Sequence, residues 1–191
     1  MRLACVLLSV AVPASAKPPV RAPFSVKIVP SEDQNQREER TIFRFSKFFV
    51  VLTNTSAAPQ TIYEDWSMWG YCAISFRAVT HDGKTVIIKR NAPGAMLRNS
   101  PATFLIPPGG HYVFVFEPDE KEWPALPTIW KLASQSVTLT AIFTEPSASI
   151  DFGDPDDESR YKEARYKQAK QLGVWIGRVE SKPERFTMSN P

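Results

Sequence analysis

The stretch Gly70–Arg90, GYCAISFRAVTHDGKTVIIKR, constrains the fold more than any other part of the chain. Cys72, Ile74, Phe76 and Ala78 recur at period two on one face, and Tyr71, Ser75 and Arg77 fall on the other. That period marks a strand with one buried side. His81-Asp82-Gly83-Lys84 supplies a tight turn, because Asp tolerates a left-handed backbone and Gly adopts positive φ without steric cost. Thr85–Lys89 is rich in β-branched residues and returns antiparallel. A hairpin this well marked is expected to sit among further strands stacked around it.

Flanking segments repeat the pattern. Phe24–Ile28 alternates Phe24, Val26 and Ile28. Thr41–Asn54 is β-prone, with Lys47 marking a turn or bulge between two strands. Asn54–Pro59, NTSAAP, is a turn. Gln60–Tyr63 and Thr103–Ile106 read as short strands. His111–Glu117 alternates Tyr112, Phe114 and Phe116 with Val113 and Val115. Both of its faces are apolar, which predicts a central or sandwiched strand. Ser136–Thr144 points Val137, Leu139, Ala141 and Phe143 inward. Val174–Val179 and Arg185–Met188 close the chain as strands. Pro118–Lys131 is expected to be a long connection.

One helix is expected over residues 155–172, inserted before the last two strands. Asp154 suits its cap, Pro155 its first position, and Gly173 its end. Its apolar stripe is thin: Tyr161, Ala164 or Arg165, Ala169 and Leu172. The expectation is a surface helix whose basic run Arg160–Lys170 is a solvated face.

The sum is an all-β fold: an antiparallel immunoglobulin-like β-sandwich of about nine strands with one surface helix in the C-terminal region, a barrel being the alternative. The chain has 191 residues, enough for one domain with a real core. Its 17 prolines against 8 glycines favour extended segments with rigid corners. Net charge is +3 and mixed along the sequence, without the clustered basic patch that marks a nucleic-acid partner. No apolar run reaches the roughly 18 residues of a spanning helix.

Met1–Ala16, MRLACVLLSVAVPASA, has one basic residue, an apolar run from Leu3 to Val12, and the ending Ala14-Ser15-Ala16. This is the layout of a secretory signal peptide cleaved before Lys17. It predicts an exported protein, periplasmic or extracellular, with residues 17–191 as its single domain. A buried first strand is the alternative. Cleavage removes Cys5, leaves Cys72 alone and so excludes an internal disulfide. Cys72 lies on the apolar face of its strand, as a small buried hydrophobe does.

The order of an NTS turn after an apolar strand, a WSMWGY segment, a strand leading to DGK, and IPPGG before an aromatic strand resembles bacterial exported immunoglobulin-like domains. More distantly, it is similar to the intracellular proteinase inhibitor family, which has such a sandwich. The resemblance covers roughly Phe43–Thr144 and rests on turn signals. No residues match an inhibitory loop, and the exported N-terminus departs from an intracellular family.

Catalytic patterns are missing. His81 lies in a turn and His111 begins a strand, with no G-x-S-x-G elbow, H-E-x-x-H, C-x-x-C, Walker loop or G-x-G-x-x-G. The reading is therefore non-enzymatic and without cofactor. Two features remain as candidate sites. Asp151, Asp154, Asp156 and Asp157 cluster in DFGDPDDE, which calcium or simple helix capping explains. Tyr63, Trp66, Trp69, Tyr71 and Trp123 form the other candidate, because exposed aromatic faces stack on sugars or anchor protein interfaces. Plugging the ends of the sandwich is the structural alternative. The leading expectation is a module that binds another protein or serves the envelope. A carbohydrate-binding module is the second reading. The third is a protease inhibitor by fold analogy, with Pro118–Pro127 or Asn91–Pro101 as its loop.

Overall fold

The computed structural model describes residues 22–30, 41–43, 47–91, 100–131, 136–146 and 155–189. In chain order the strands and helices are β1 (Phe24–Pro30), β2 (Thr41–Phe43), β3 (Phe48–Asn54), β4 (Gln60–Tyr63), β5 (Ile74–Thr80), β6 (Thr85–Lys89), β7 (Thr103–Ile106), β8 (His111–Phe116), α1 (Leu126–Trp130), β9 (Ser136–Glu145), α2 (Pro155–Gln171), β10 (Gly177–Glu180) and β11 (Glu184–Ser189). The described residues thus hold eleven strands and two helices, mostly β as expected. Among them, no helix is long and apolar enough to cross a membrane.

One sheet runs β1-β3-β8, antiparallel throughout. The larger sheet runs β2-β11-β9-β5-β6, with β10 also paired to β9. A third, two-stranded ribbon joins β4 to β7. Alternation decides which side chains meet. Phe24, Val26 and Ile28 of β1, Phe48, Val50 and Leu52 of β3, and Phe114 and Phe116 of β8 face inward. They share one core with Ile74, Phe76 and Ala78 of β5 and with Val137, Leu139, Ala141 and Phe143 of β9. The inward set read from β5 and β9 is therefore buried, and on the other face of β9 Thr140 and Ile142 are buried as well, at 3% exposure each. Phe76 sits at the centre of the aromatic packing. It meets Phe48 at 5.5 Å, Phe116 at 5.2 Å and Trp123 at 5.8 Å between ring centroids. Edge-on and tilted rings of this kind add to the burial of their area.

The central hairpin forms as its turn predicts. Gly83 takes φ of 80°, a conformation open to glycine at little cost. Lys84 bonds the Asp82 carboxylate at 2.8 Å, and the Thr80 hydroxyl also donates to it. These bonds hold the Asp82 carboxyl well below its usual range. Around Lys47 the chain changes sheets, since β2 pairs with β11 and β3 with β1 and β8.

Three expectations are corrected. First, β8 is neither central nor sandwiched. It ends its sheet, and Val113 and Val115 are 48% and 47% exposed, because nothing described covers the outer face. Second, the long connection contains α1, which buries Leu126 and Ile129 in the core. Third, α2 spans nearly its expected range, but Arg165 is not part of a solvated face. It is buried with Ala169, one turn along the same stripe, while Leu172 is exposed. Gly173 ends the helix with φ of 67°.

Candidate functional site

Two places in the molecule combine chemistry with an unusual environment. The first is the outer face of β1-β3-β8. Register sets Val51 opposite Val113, and Phe49 opposite Val115 and Val29. These side chains stand on the face away from the core, where Val113 and Val115 are half exposed and Phe49 and Val51 half-buried. On the ribbon, Phe104 and Leu105 of β7 are also exposed. Among the described residues, no strand pairs with the second edge of β8. His111–Phe116 holds no proline and no Lys, Arg, Asp or Glu, the usual means of protecting such an edge. Charge appears only beyond it, in the ion pair of Glu117 with Lys47.

The second place is buried. Glu145 ends β9 at 1% exposure, and neither carboxylate oxygen has a hydrogen-bond partner. Burial raises its carboxyl well above the ordinary range, against the opposing pull of the Arg165 guanidinium. The Tyr63 backbone amide pulls the same way as Arg165, from a position short of hydrogen-bond geometry. The Tyr63 hydroxyl is buried without a partner, and burial together with Glu145 pushes it up to about 12. Arg165 reaches in from α2 and donates to the Met68 carbonyl. Its guanidinium lies 5.8 Å from the Trp69 ring centroid. The Trp69 indole N–H donates to Gln168 of the same helix. Sequence reasoning missed Glu145 because a carboxylate ending an apolar strand normally faces water. The only signal available was its place two residues after the inward-facing Phe143, on the same face of the strand.

The five aromatic candidates do not form one surface. Tyr63 is fully buried and Trp123 is 4% exposed. Trp123 packs on Phe76 and Phe116, inside the core. Trp69 is half-buried under α2. Tyr71 lies beneath the Arg90 guanidinium at 3.6 Å, and Arg90 in turn pairs with Glu122 at 3.0 Å. Only Trp66 is broadly exposed, at 49%. Plugging and pinning therefore account for four of the five. Cys72 is buried, its sulfur donating to the Arg90 carbonyl at 3.7 Å, and burial raises the thiol. His111 shares a 2.9 Å hydrogen bond with the Thr53 hydroxyl on the exposed face. His81 is exposed in the turn.

The expected signal segment 1–16, Asp151 and Asp154, and the side chains of Asp156 and Asp157 lie outside the described residues, as does most of the loop Asn91–Pro101. Among the described residues, no three His, Cys, Asp or Glu side chains gather as metal ligands. The other loop, Pro118–Pro127, tucks Trp123 and Leu126 into the core. Comparison with family models, with curated proteins and with solved structures found no match.

Proposed function

We propose that this chain is an exported, non-enzymatic, immunoglobulin-like β-sandwich that binds another protein through β8. The strand order supports the fold reading. Setting aside β2, β4, β7 and β10, the orders β1-β3-β8 and β11-β9-β5-β6 correspond to strands A-B-E and G-F-C-C′ of an immunoglobulin-like domain lacking strand D. Strand D is the one that would pair with β8. The observation that carries the functional reading is the apolar outer face at Val113 and Val115, continuous with an edge that no described strand occupies.

Such an edge recruits an extended segment of a partner. Main-chain hydrogen bonds supply affinity, and alternate side chains select the sequence. Here the selecting surface is apolar, so the partner segment presents β-branched or aromatic residues opposite Val113 and Val115. The reading as an export-compartment protein rests on Met1–Ala16.

The test is site-specific photo-crosslinking in producing cells. A benzophenone side chain at Val113 or Val115 is expected to trap one discrete partner. The same group at Ile87, equally exposed on β6 at 45%, is expected to trap none. Equal labelling from all three positions, or none from β8, would sink the assignment.

A further inference from the structure

Among its described side chains, helix α2 meets the β-body along a narrow stripe. Of its described side chains, Lys162–Gln171, only Arg165 and Ala169 are buried, and Gln168 is half-buried. All three lie on one stripe. Ala169 joins Tyr63 and Val174 in a small core of its own, with Trp69 and Ile176 packed against it. Polar contacts add to it, among them Arg165 on the Met68 carbonyl and Trp69 on Gln168. Into this join, from the β-body, projects the buried carboxyl group of Glu145. Among the described residues, the charged and titratable groups that face it are Arg165 of α2 and Tyr63 of β4. Cys72, ahead of β5, faces the same guanidinium.

We propose that Glu145 and the Arg165–Ala169 stripe form a pH-sensitive latch, in which α2 stays docked over Tyr63 and Trp69 while the carboxyl holds its proton and is released as the carboxyl ionises. The physical cause is solvation. An ionised carboxylate without hydrogen bonds is costly to bury, and a single guanidinium offsets only part of that cost. Undocking α2 removes Arg165 and admits water, so Glu145 returns to its ordinary range near ~4.3. The docked state binds the proton more tightly than the open state. Docking is therefore strongest below the ordinary carboxylate range and weakens as pH rises toward the docked-state value. One proton is linked, so the opening constant rises at most about tenfold per pH unit. Opening uncovers Tyr63, Trp69 and Val174, an apolar surface hidden in the docked state.

Hydrogen exchange of the full chain between pH 5 and 9, corrected for intrinsic exchange, reads this directly. Amides of residues 155–171 are expected to lose protection with rising pH while those of β9 keep theirs. Glu145→Gln, which keeps the shape without the charge, is expected to flatten the dependence. Protection of α2 that ignores pH, or a Glu145→Gln protein with the wild-type slope, would overturn the latch. Should Glu145→Gln fail to fold, carboxyl NMR of the wild-type protein decides. A Glu145 midpoint that coincides with the loss of α2 protection supports the latch, and a midpoint in the ordinary carboxylate range ends it.

Discussion

The Asn54 side chain donates to the Ile106 carbonyl over 2.9 Å, and so ties the turn after β3 to the turn before β8. Its second amide proton goes to the Ala58 carbonyl at 2.8 Å, and its oxygen accepts from the Ser56 amide and hydroxyl. All four hydrogen-bonding positions of the amide are filled in a residue with no exposure. The Asn54 main chain adds bonds to Gly109 and Gly110. Asn54→Ala takes the side-chain donor from the buried Ile106 carbonyl and the acceptor from the Ser56 amide, while the Ser56 hydroxyl keeps its bond to the Ala58 carbonyl. The expected loss is about 2–4 kcal/mol in urea unfolding. Asn54→Asp is expected to cost more at pH 7 than at pH 4, since it buries a charge. A loss under about 1 kcal/mol for the alanine variant would show that water replaces the amide.

Ser181 and Ala141 form a second join. β10 pairs with β9 from Ile142 to Glu145, and β11 pairs with it from Ser136 to Leu139. Between them Ser181 donates its amide to the Ala141 carbonyl at 2.8 Å, and its hydroxyl accepts the Ala141 amide at 2.9 Å. The same hydroxyl donates to the Lys182 carbonyl at 2.9 Å. Ser181→Ala leaves the fully buried Ala141 amide unpaired, for an expected loss of about 1–3 kcal/mol. Ser181→Thr keeps the hydroxyl and is expected to lose less. Equal melting curves for the two variants would remove the hydroxyl from the account.

Local chemistry explains which parts of this architecture were legible in the sequence. The strand β9 announced Val137, Leu139, Ala141 and Phe143 by alternation, but not Thr140 and Ile142, which are also buried because both faces of the strand are covered at its middle. The DGK turn and the Pro155–Gly173 helix carried their own start and stop residues. The position of β8 was not legible. Its two apolar faces read as a buried strand, whereas Val113 and Val115 face outward with no described cover. Sequence alternation reports which residues share a face, not whether a neighbour exists to cover it. Arg165 failed for the complementary reason. In a run of Lys, Arg and Glu nothing local distinguishes the cation that a distant Glu145 and the Met68 carbonyl draw inward. The Trp66 and Trp69 pair showed spacing but not depth, and Trp69 is turned under α2.

Tyr63 gives a prediction of opposite sign to the usual loss. Its hydroxyl is buried without a partner, so Tyr63→Phe removes an unmet polar group while keeping the ring. The variant is expected to gain up to about 1 kcal/mol at pH 7. Its effect at high pH follows from linkage. Tyr63 is pushed up to about 12 in the folded protein with α2 docked, so the docked state holds this proton where the unfolded chain, titrating near ~10, has lost it. The associated stability is complete below the unfolded value and is lost as pH rises through the folded one. Wild-type protein should weaken between these values, and Tyr63→Phe should weaken less. Parallel urea midpoints for both proteins across this range would rule Tyr63 out as the cause. Tyr112, Tyr71 and Cys72 are raised as well, each chiefly by burial, and add to the alkaline sensitivity.

Trp66 and Trp123 separate a surface role from a core role in one fluorescence experiment. Trp66 is 49% exposed and Trp123 is 4% exposed. Acrylamide is expected to quench a minority of the emission, and Trp66→Phe should abolish most of that quenchable fraction with little change in stability. Trp123→Phe should leave the quenching slope intact. Its ring keeps the contacts to Phe76 and Phe116, and the lost indole N–H had no partner, so the stability change should stay within about 1 kcal/mol. Trp123→Ala, by contrast, empties the aromatic centre and is expected to cost about 3–5 kcal/mol. A soluble glycan that protected the Trp123 emission would contradict its place in the core. One that protected Trp66 alone would be stacking on a single indole, because Trp69 is held against Gln168 and Tyr71 against Arg90. Sugar recognition of that kind is weak, and it would leave the β8 partner untouched.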